Sequence, residues 1–377
     1  TRFGRRGAAF AEDLEPLLED PVQEVRDAAR KALDAFQAAP PGRPPQVPQA
    51  SPPLAVLNGR ADGKEAPLPV GLLFPGQGSQ VVGMLKDLKD LPPVRKMLAT
   101  AEEVLGYDLL RVCLEGPEER LEQTLCCQPA MYVGGLAALE ALRQQNPDAV
   151  ARCQAVAGLS LGEYTALTVA GVFDFETGLR IVKVRAEAMD EAAQRSPQMM
   201  VSVAGLERPT LDNICKSSCS GQDDVCQVAN ALFPKGFAVA GTKPAMERCL
   251  AAVKEHRDCM QAKALKTSGA FHTALMLPAR KKLDVALQEA LKSMSPPRCD
   301  VYMNVTGAKL SAGTAPSEIV RLLGDQLTGA VLWEASVRAM TADGVADFYE
   351  CGPQKQLKAM MKRISVEVWK RTTSIEA

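Results

Sequence analysis

The sequence predicts an α/β protein: an α/β-hydrolase-like large domain with an inserted ferredoxin-like small domain, preceded by a helical segment and a Pro-rich linker. Three observations predict it. Gly158-Leu-Ser-Leu-Gly162 lies between a short strand-like run at 155–157 and a helix-compatible run at 163–169. Residues 197–266 read as strand, helix, strand, strand, helix, strand, the order of a split β-α-β unit. Composition shifts sharply to Pro, Ala, Gly and Gln over 39–67. The expected boundaries are 1–38 for the helical segment, 39–67 for the linker, 68–196 with 267–372 for the large domain, and 197–266 for the insert.

The glycine-flanked serine carries the chemistry. A serine at the tip of a tight strand-to-helix turn is a nucleophile elbow. A Cβ at Gly158 or Gly162 would collide with the neighbouring strand or helix, so the turn needs glycine at both positions. The Leu161 N–H stands at the helix start without an intrahelical acceptor and is free to meet a developing oxyanion. The competing reading of the same five residues is a Gly-Ser turn without chemistry.

Composition bounds the rest. The chain has 377 residues, 46% hydrophobic and 24% charged, enough for two or three globular domains. Lys plus Arg number 44 and Asp plus Glu 45, a balance that argues against a nucleic-acid coat or an anionic-membrane binder. No apolar run approaches the roughly 18 residues of a membrane span. Eleven irregularly spaced cysteines without a C-x-x-C predict free thiols in a reducing compartment. Cys215, Cys219 and Cys226 come nearest to a metal cluster, with Cys249, His256 or Cys259 as a fourth ligand, but the expectation is that no metal is bound. A start at Thr1 rather than Met is expected of a fragment or a processed product.

In chain order, Leu14, Leu17 and Leu18, then Val25, Ala28, Ala29, Ala32 and Leu33, make two helical stripes. Residues 14–33 resemble one HEAT-type repeat, which cannot bury its apolar face alone. The prolines from Pro40 onward then favour an extended linker. A strand at Val70-Gly-Leu-Leu-Phe74 enters the loop Pro75-Gly-Gln-Gly-Ser-Gln80, which lacks the Lys of a phosphate-binding Walker loop. Helices are expected over 84–105, 109–114 and 129–142, and a long one over 175–193 carries Arg180, Lys183 and Arg185. In the insert, strands are expected at 200–204, 225–229, 237–240 and 260–265, with helices at 206–216 and 244–256. His272 lies in a Gly-containing loop ahead of a helix over 275–292, whereas His256 sits among Lys254, Glu255, Arg257 and Asp258 as a solvated helix end. A strand over 301–305 contains Asn304, and helices over 319–327 and 331–341 follow. A last strand at 346–350 turns at Gly352-Pro353 into a basic helix over 354–363.

Phe74-Pro-Gly-Gln-Gly-Ser-Gln80, Gln128-Pro-Ala130, Gly158-Leu-Ser-Leu-Gly-Glu-Tyr164, Arg185, Gly269-Ala-Phe-His272, Asn304-Val305 and Gly352-Pro353 resemble, in order and spacing, the malonyl-CoA:acyl carrier protein transacylases. The resemblance runs from about residue 70 to 370 and leaves the first 67 residues out. It implies Ser160 as nucleophile, His272 as its base, and the Gln77 and Leu161 N–H groups as oxyanion donors. It implies Arg185 on the malonyl carboxylate, Gln128 lining the acyl pocket, the Gln326 backbone carbonyl orienting the histidine, and Asn304 near the site. Malonyl transfer would be ping-pong, through a malonyl-serine, with malonyl-CoA and an acyl carrier protein as partners and no cofactor. The resemblance further implies a monomer serving type II fatty-acid synthesis in the mitochondrial matrix or a plastid, or in the cytoplasm of a prokaryote.

The residue chemistry agrees. A guanidinium binds a carboxylate through two parallel hydrogen bonds that an acetyl group cannot offer. Phe271, before the histidine, is expected to narrow the pocket in favour of malonyl over methylmalonyl. Lys355, Lys358 and Lys362 share a face at helical spacing and are expected to dock an acidic carrier. There are departures: Leu159 stands where many members have His, Met199 where glycine is common, and Ala330 where proline is common. The first points away from the bacterial subtype. Three rival readings share part of the pattern: a serine thioesterase or hydrolase using Asp258, a trans-acting polyketide acyltransferase, and a non-catalytic carrier-binding scaffold.

Overall fold

The computed structural model describes residues 68–267 and 269–377. The helical segment expected at 1–38 and the linker at 39–67 lie outside the described residues. The strands are β1 (Val70–Phe74), β2 (Cys153–Gly158), β3 (Gln198–Ala204), β4 (Cys226–Phe233), β5 (Gly236–Thr242) and β6 (Gln261–Ala264). They continue with β7 (Asp300–Met303), β8 (Ala308–Leu310), β9 (Val331–Leu332), β10 (Asp347–Cys351) and β11 (Thr372–Ile375).

One sheet runs β11-β10-β1-β2-β7-β8, parallel except for β8 at its edge. Every residue of β1 is buried, as a strand covered on both faces requires. Its side chains divide by the period of two: Leu72 and Phe74 face the core shared with the Thr124–Gln145 and Phe175–Gln194 helices, and Leu73 faces Trp333, Val337 and Leu357. Glu350 of β10 is fully buried, and its carboxylate accepts from the N–H groups of Leu357 (2.8 Å) and Lys358 (2.9 Å). It thereby satisfies two donors at the start of the Gln356–Ile364 helix.

The second sheet runs β6-β3-β5-β4-β9. β3 to β6 form antiparallel pairs, with the Arg208–Ser218 and Lys243–Glu255 helices connecting them. β9 joins this sheet from outside the 197–266 stretch, parallel to β4 with Asn230 opposite Val331. The stretch expected to begin a helix at residue 331 therefore starts as a strand, because the free edge of β4 offers Val331 and Leu332 a ladder.

Other expectations move. The helix expected over 84–105 begins only at Pro92, since Pro92 and Pro93 fit a first turn and cannot sit inside one. The basic helix expected from 354 begins at Gln356, leaving Lys355 outside it. The Thr124–Gln145 helix continues through Pro129. Pro129 removes a donor from the Leu125 carbonyl, which accepts from the Tyr107 hydroxyl instead (3.3 Å). By length and composition alone this helix is apolar enough to cross a membrane, contrary to the reading that no run approaches a span, but it is packed inside the protein.

Candidate active site

Backbone sterics place Ser160. A Cβ on Gly158 would lie 1.9 Å from the Gly162 carbonyl carbon, and one on Gly162 would lie 2.0 Å from the Phe74 oxygen. Only glycine lets β1, β2 and the Gly162–Val169 helix meet this closely. Ser160 itself takes a positive φ of 53°, a conformation that non-glycine residues adopt at a cost and that aims its hydroxyl out of the turn. Asn304, just past β7, holds the turn from both sides: its Oδ1 accepts from the Ser160 N–H (2.7 Å) and its Nδ2 donates to the Gly158 oxygen (2.7 Å).

His272 also has positive φ, 61°, in a loop fastened where the Ala270 N–H donates to Gln198 Oε1 (2.7 Å) and the Thr273 hydroxyl donates to the Ala270 oxygen (2.6 Å). Its Nε2 lies 2.7 Å from Ser160 Oγ and its Nδ1 lies 2.7 Å from the Gln326 backbone oxygen. A carbonyl only accepts, so Nδ1 carries the hydrogen and Nε2 is left as the acceptor for the serine proton. Burial and the nearby Arg185 charge push His272 down to about 4, against the lift from the Gln326 carbonyl. Asp258, the acid of the hydrolase reading, lies on the surface 4.0 Å from His256.

Arg185 comes from the middle of the Phe175–Gln194 helix and is 1% exposed. Its Nη1 donates to Gln128 Oε1 (2.7 Å), and its Nη2 to Gln326 Oε1 (2.9 Å) and Ser160 Oγ (3.0 Å). Its Nε has no partner, and the guanidinium lies over the Tyr164 ring at 5.2 Å. Among the described residues Arg185 forms no ion pair with a carboxylate. A buried cation held only by neutral oxygens is costly unless an anion completes it.

Below these groups lies Glu163, which the sequence reading missed. Its Oε1 accepts from the Asn304 N–H (2.6 Å) and its Oε2 from Gln326 Nε2 (2.6 Å). Gln326 Nε2 also donates to the Ser160 oxygen (2.8 Å). Burial pushes Glu163 up to about 8, although the Asn304 N–H, the Gln326 amide and the Arg185 charge all pull it down. The available signal was an acid beside the second elbow glycine, at the head of an apolar run.

The 75–80 loop lies against the elbow: a Cβ on Gly76 would come within 2.3 Å of the Leu159 oxygen and 3.7 Å of the Leu161 nitrogen. Gly76, the residue before Gln77, is thus packed close to the Leu161 N–H. Phe271 is buried in the main core next to the His272 loop. An open groove of about 570 Å³ reaches His272, between Thr328 and Ala330 on one side and Arg208, Lys216 and Gln227 on the other. The three lysines expected to dock a partner lie elsewhere and are partly engaged: Lys355 pairs with Glu376 (2.7 Å), and Lys362 lies over the Trp369 ring at 4.9 Å.

Fold and pocket together define an α/β acyltransferase. The Acyl transferase domain family matches residues 72–370. The chain is similar to the mitochondrial malonyl-CoA-acyl carrier protein transacylase of Homo sapiens, 39% identical over 315 residues, covering 81% of this chain and 79% of that protein. Among solved structures it resembles the malonyl CoA-acyl carrier protein transacylase of Coxiella burnetii, with TM-score 0.75 and 30% identity over 82% of this chain and 94% of that one. It also resembles a malonyl-transacylase in complex with its type II PKS acyl-carrier protein, with TM-score 0.72 and 34% identity over 82% and 96% of the two chains. The chain belongs to the malonyl-CoA-acyl carrier protein transacylase family.

Proposed function

We propose that this chain transfers a malonyl group from malonyl-CoA to the phosphopantetheine thiol of an acyl carrier protein, through a malonyl ester on Ser160. The observation that carries this reading is the buried Arg185 guanidinium, 3.0 Å from Ser160 Oγ and held only by neutral oxygens. A malonyl carboxylate completes it, and an acetyl group leaves it unpaired at a cost of several kcal/mol, about 3–5.

In the first half-reaction Ser160 Oγ gives its proton to His272 Nε2 and attacks the thioester carbonyl carbon. The oxyanion is received by the Gln77 and Leu161 N–H groups, each worth about 3–4 kcal/mol. The carbon–sulfur bond breaks, and CoA leaves with the proton from His272. In the second, the carrier thiol gives its proton to His272, attacks the malonyl ester, and Ser160 recovers its proton. The Gln326 carbonyl keeps the required imidazole tautomer, and Asn304 keeps the elbow in register. Gln128 lines the acyl end beside Arg185, and Phe271 narrows it. No step needs a metal or redox cofactor.

We take the chain to act as a monomer, since Ser160, His272 and Arg185 meet within it and the transfer as written needs no group from a second copy. We read 197–266 as a ferredoxin-like insert, supported by the β6-β3-β5-β4 order, in an α/β-hydrolase-like domain spanning 68–196 and 267–372. The mitochondrial human relative supports a mitochondrial setting, and we take the malonyl-carrier product to supply fatty-acid synthesis. Lys355, Lys358 and Lys362 remain the proposed carrier-docking residues. The test is steady-state transfer from malonyl-CoA to a holo carrier. Parallel double-reciprocal plots with malonyl-carrier as product are expected, whereas CoA release with free malonate as product would contradict the proposal.

A further inference from the structure

The core of the second sheet holds a group of sulfur atoms that malonyl transfer does not use. Cys215 lies in the last turn of the Arg208–Ser218 helix, Cys226 opens β4, and Cys249 lies in the Lys243–Glu255 helix. Their Sγ atoms all lie within 4.8 Å of one another, and all three residues are buried. Met246 brings its Sδ to 3.6 Å from Cys226 Sγ. The remaining wall is apolar, with Leu211, Val228 and Val253. Cys219, which sequence spacing groups with Cys215, instead turns its Sγ to the Cys215 backbone oxygen at 3.6 Å. The groove that reaches His272 also reaches Cys215 and Cys226, which gives an ion a route from solvent.

A tetrahedral ion with metal–sulfur bonds of about 2.3 Å holds its sulfur ligands about 3.8 Å apart, so this cluster needs only a small contraction. Three elements already fixed by the sheet supply the donors, so little chain ordering remains to be done on binding. Thiolates with a thioether are a soft donor set, which favours zinc(II) or copper(I) over hard cations. We propose that Cys215, Cys226 and Cys249, with Met246 as fourth donor, form a binding site for a soft closed-shell metal ion. Each ligating thiol forms one sulfur–metal bond and gives its proton to solvent, so no electrons move and affinity rises with pH.

The test uses the full chain, reduced and freed of metal, titrated in separate arms with zinc(II) and copper(I), with cobalt(II) as the optical probe for zinc. The expected result is one equivalent per chain, with sulfur-to-cobalt charge-transfer absorption and a rise in Tm. Cys226→Ala and Cys249→Ala should each weaken binding by at least about 100-fold. Cys219→Ala and Cys259→Ala should bind as the parent does. Malonyl labelling of Ser160, unchanged in all four variants, shows that each is folded. The arm with the tighter binding identifies the ion. The proposal is overturned if neither ion binds at micromolar concentration, or if binding survives in both cluster variants. It is also overturned if the protein as isolated, before reduction, holds two of these three cysteines as a disulfide, 2 Da lighter by mass.

Discussion

The pocket under Ser160 and the core of the second sheet are both buried, yet they are filled with opposite chemistry. The pocket packs Arg185, Glu163, His272, Gln128, Gln326 and Asn304 against one another, all nearly inaccessible to water. The sheet core holds Val, Leu, Phe, Met and Cys. Burying polar groups is tolerable only when each meets a partner, so the pocket gives up stability that the sheet core retains. The unpaired charge on Arg185 is where the pocket departs from full satisfaction, and it lies where a substrate carboxylate is expected. Changes in the pocket should therefore cost activity before stability, and changes in the sheet core the reverse.

The largest break of that contrast is His272→Ala, which should slow malonyl-enzyme formation by about 10⁴-fold or more with little change in Tm, read by quenched-flow labelling. Arg185→Ala should lower kcat/KM for malonyl-CoA by about 100- to 1000-fold and collapse the preference over acetyl-CoA by a similar factor. Unfolding of either variant at ambient temperature would mean that the pocket is structural first.

Titration sharpens the comparison. The base form of His272 is neutral, and a value lowered to about 4 keeps it neutral well into acid. Acylation should hold level from pH 8 to about 5, where a free imidazole would have lost half its base near 6.5. The associated stability is present above the ordinary histidine value and is lost as pH falls toward 4. Glu163 runs the other way. Raised to about 8, it contributes stability that is complete below the ordinary carboxylate range and is lost as pH rises through 8. Glu163→Gln should remove that alkaline loss, on the order of 3 kcal/mol, seen as a smaller Tm drop between pH 6 and pH 9.

Smaller effects come from outside the pocket. Reversing the charges of Lys355, Lys358 and Lys362 should raise the carrier KM by up to about tenfold and leave the malonyl-CoA half-reaction unchanged. Cys249→Ala, in the sheet core, should leave turnover within about twofold while lowering Tm by a few degrees, about 2–4 °C per kcal/mol lost.

What the sequence made legible follows from how local each signal is. Ser160 was readable because Gly158 and Gly162 answer to backbone collisions within five residues. The helix that bears Arg185 and the loop that bears His272 were readable in the same way, and the order of β3 to β6 followed from alternating patterns. Glu163 was not readable, because its partners Asn304 and Gln326 are 141 and 163 positions away. In sequence it is only an acid in the first turn of a helix. β9 is two residues long and exists because β4 has a free edge. Cys219 was grouped with Cys215 and Cys226 by nearness in sequence, but its backbone leaves the helix at ψ 114° and its thiol turns to the Cys215 oxygen. Lys355 likewise lies just ahead of the helix that was expected to carry it, with φ −136°.

The central claim is a covalent malonyl-serine selected by Arg185. Incubation with radiolabelled malonyl-CoA, without any carrier, followed by denaturation and counting, tests it most directly. One label per chain, absent in Ser160→Ala and far weaker with acetyl-CoA, is the predicted result. Label that persists in Ser160→Ala, or CoA release with no label retained, would contradict it.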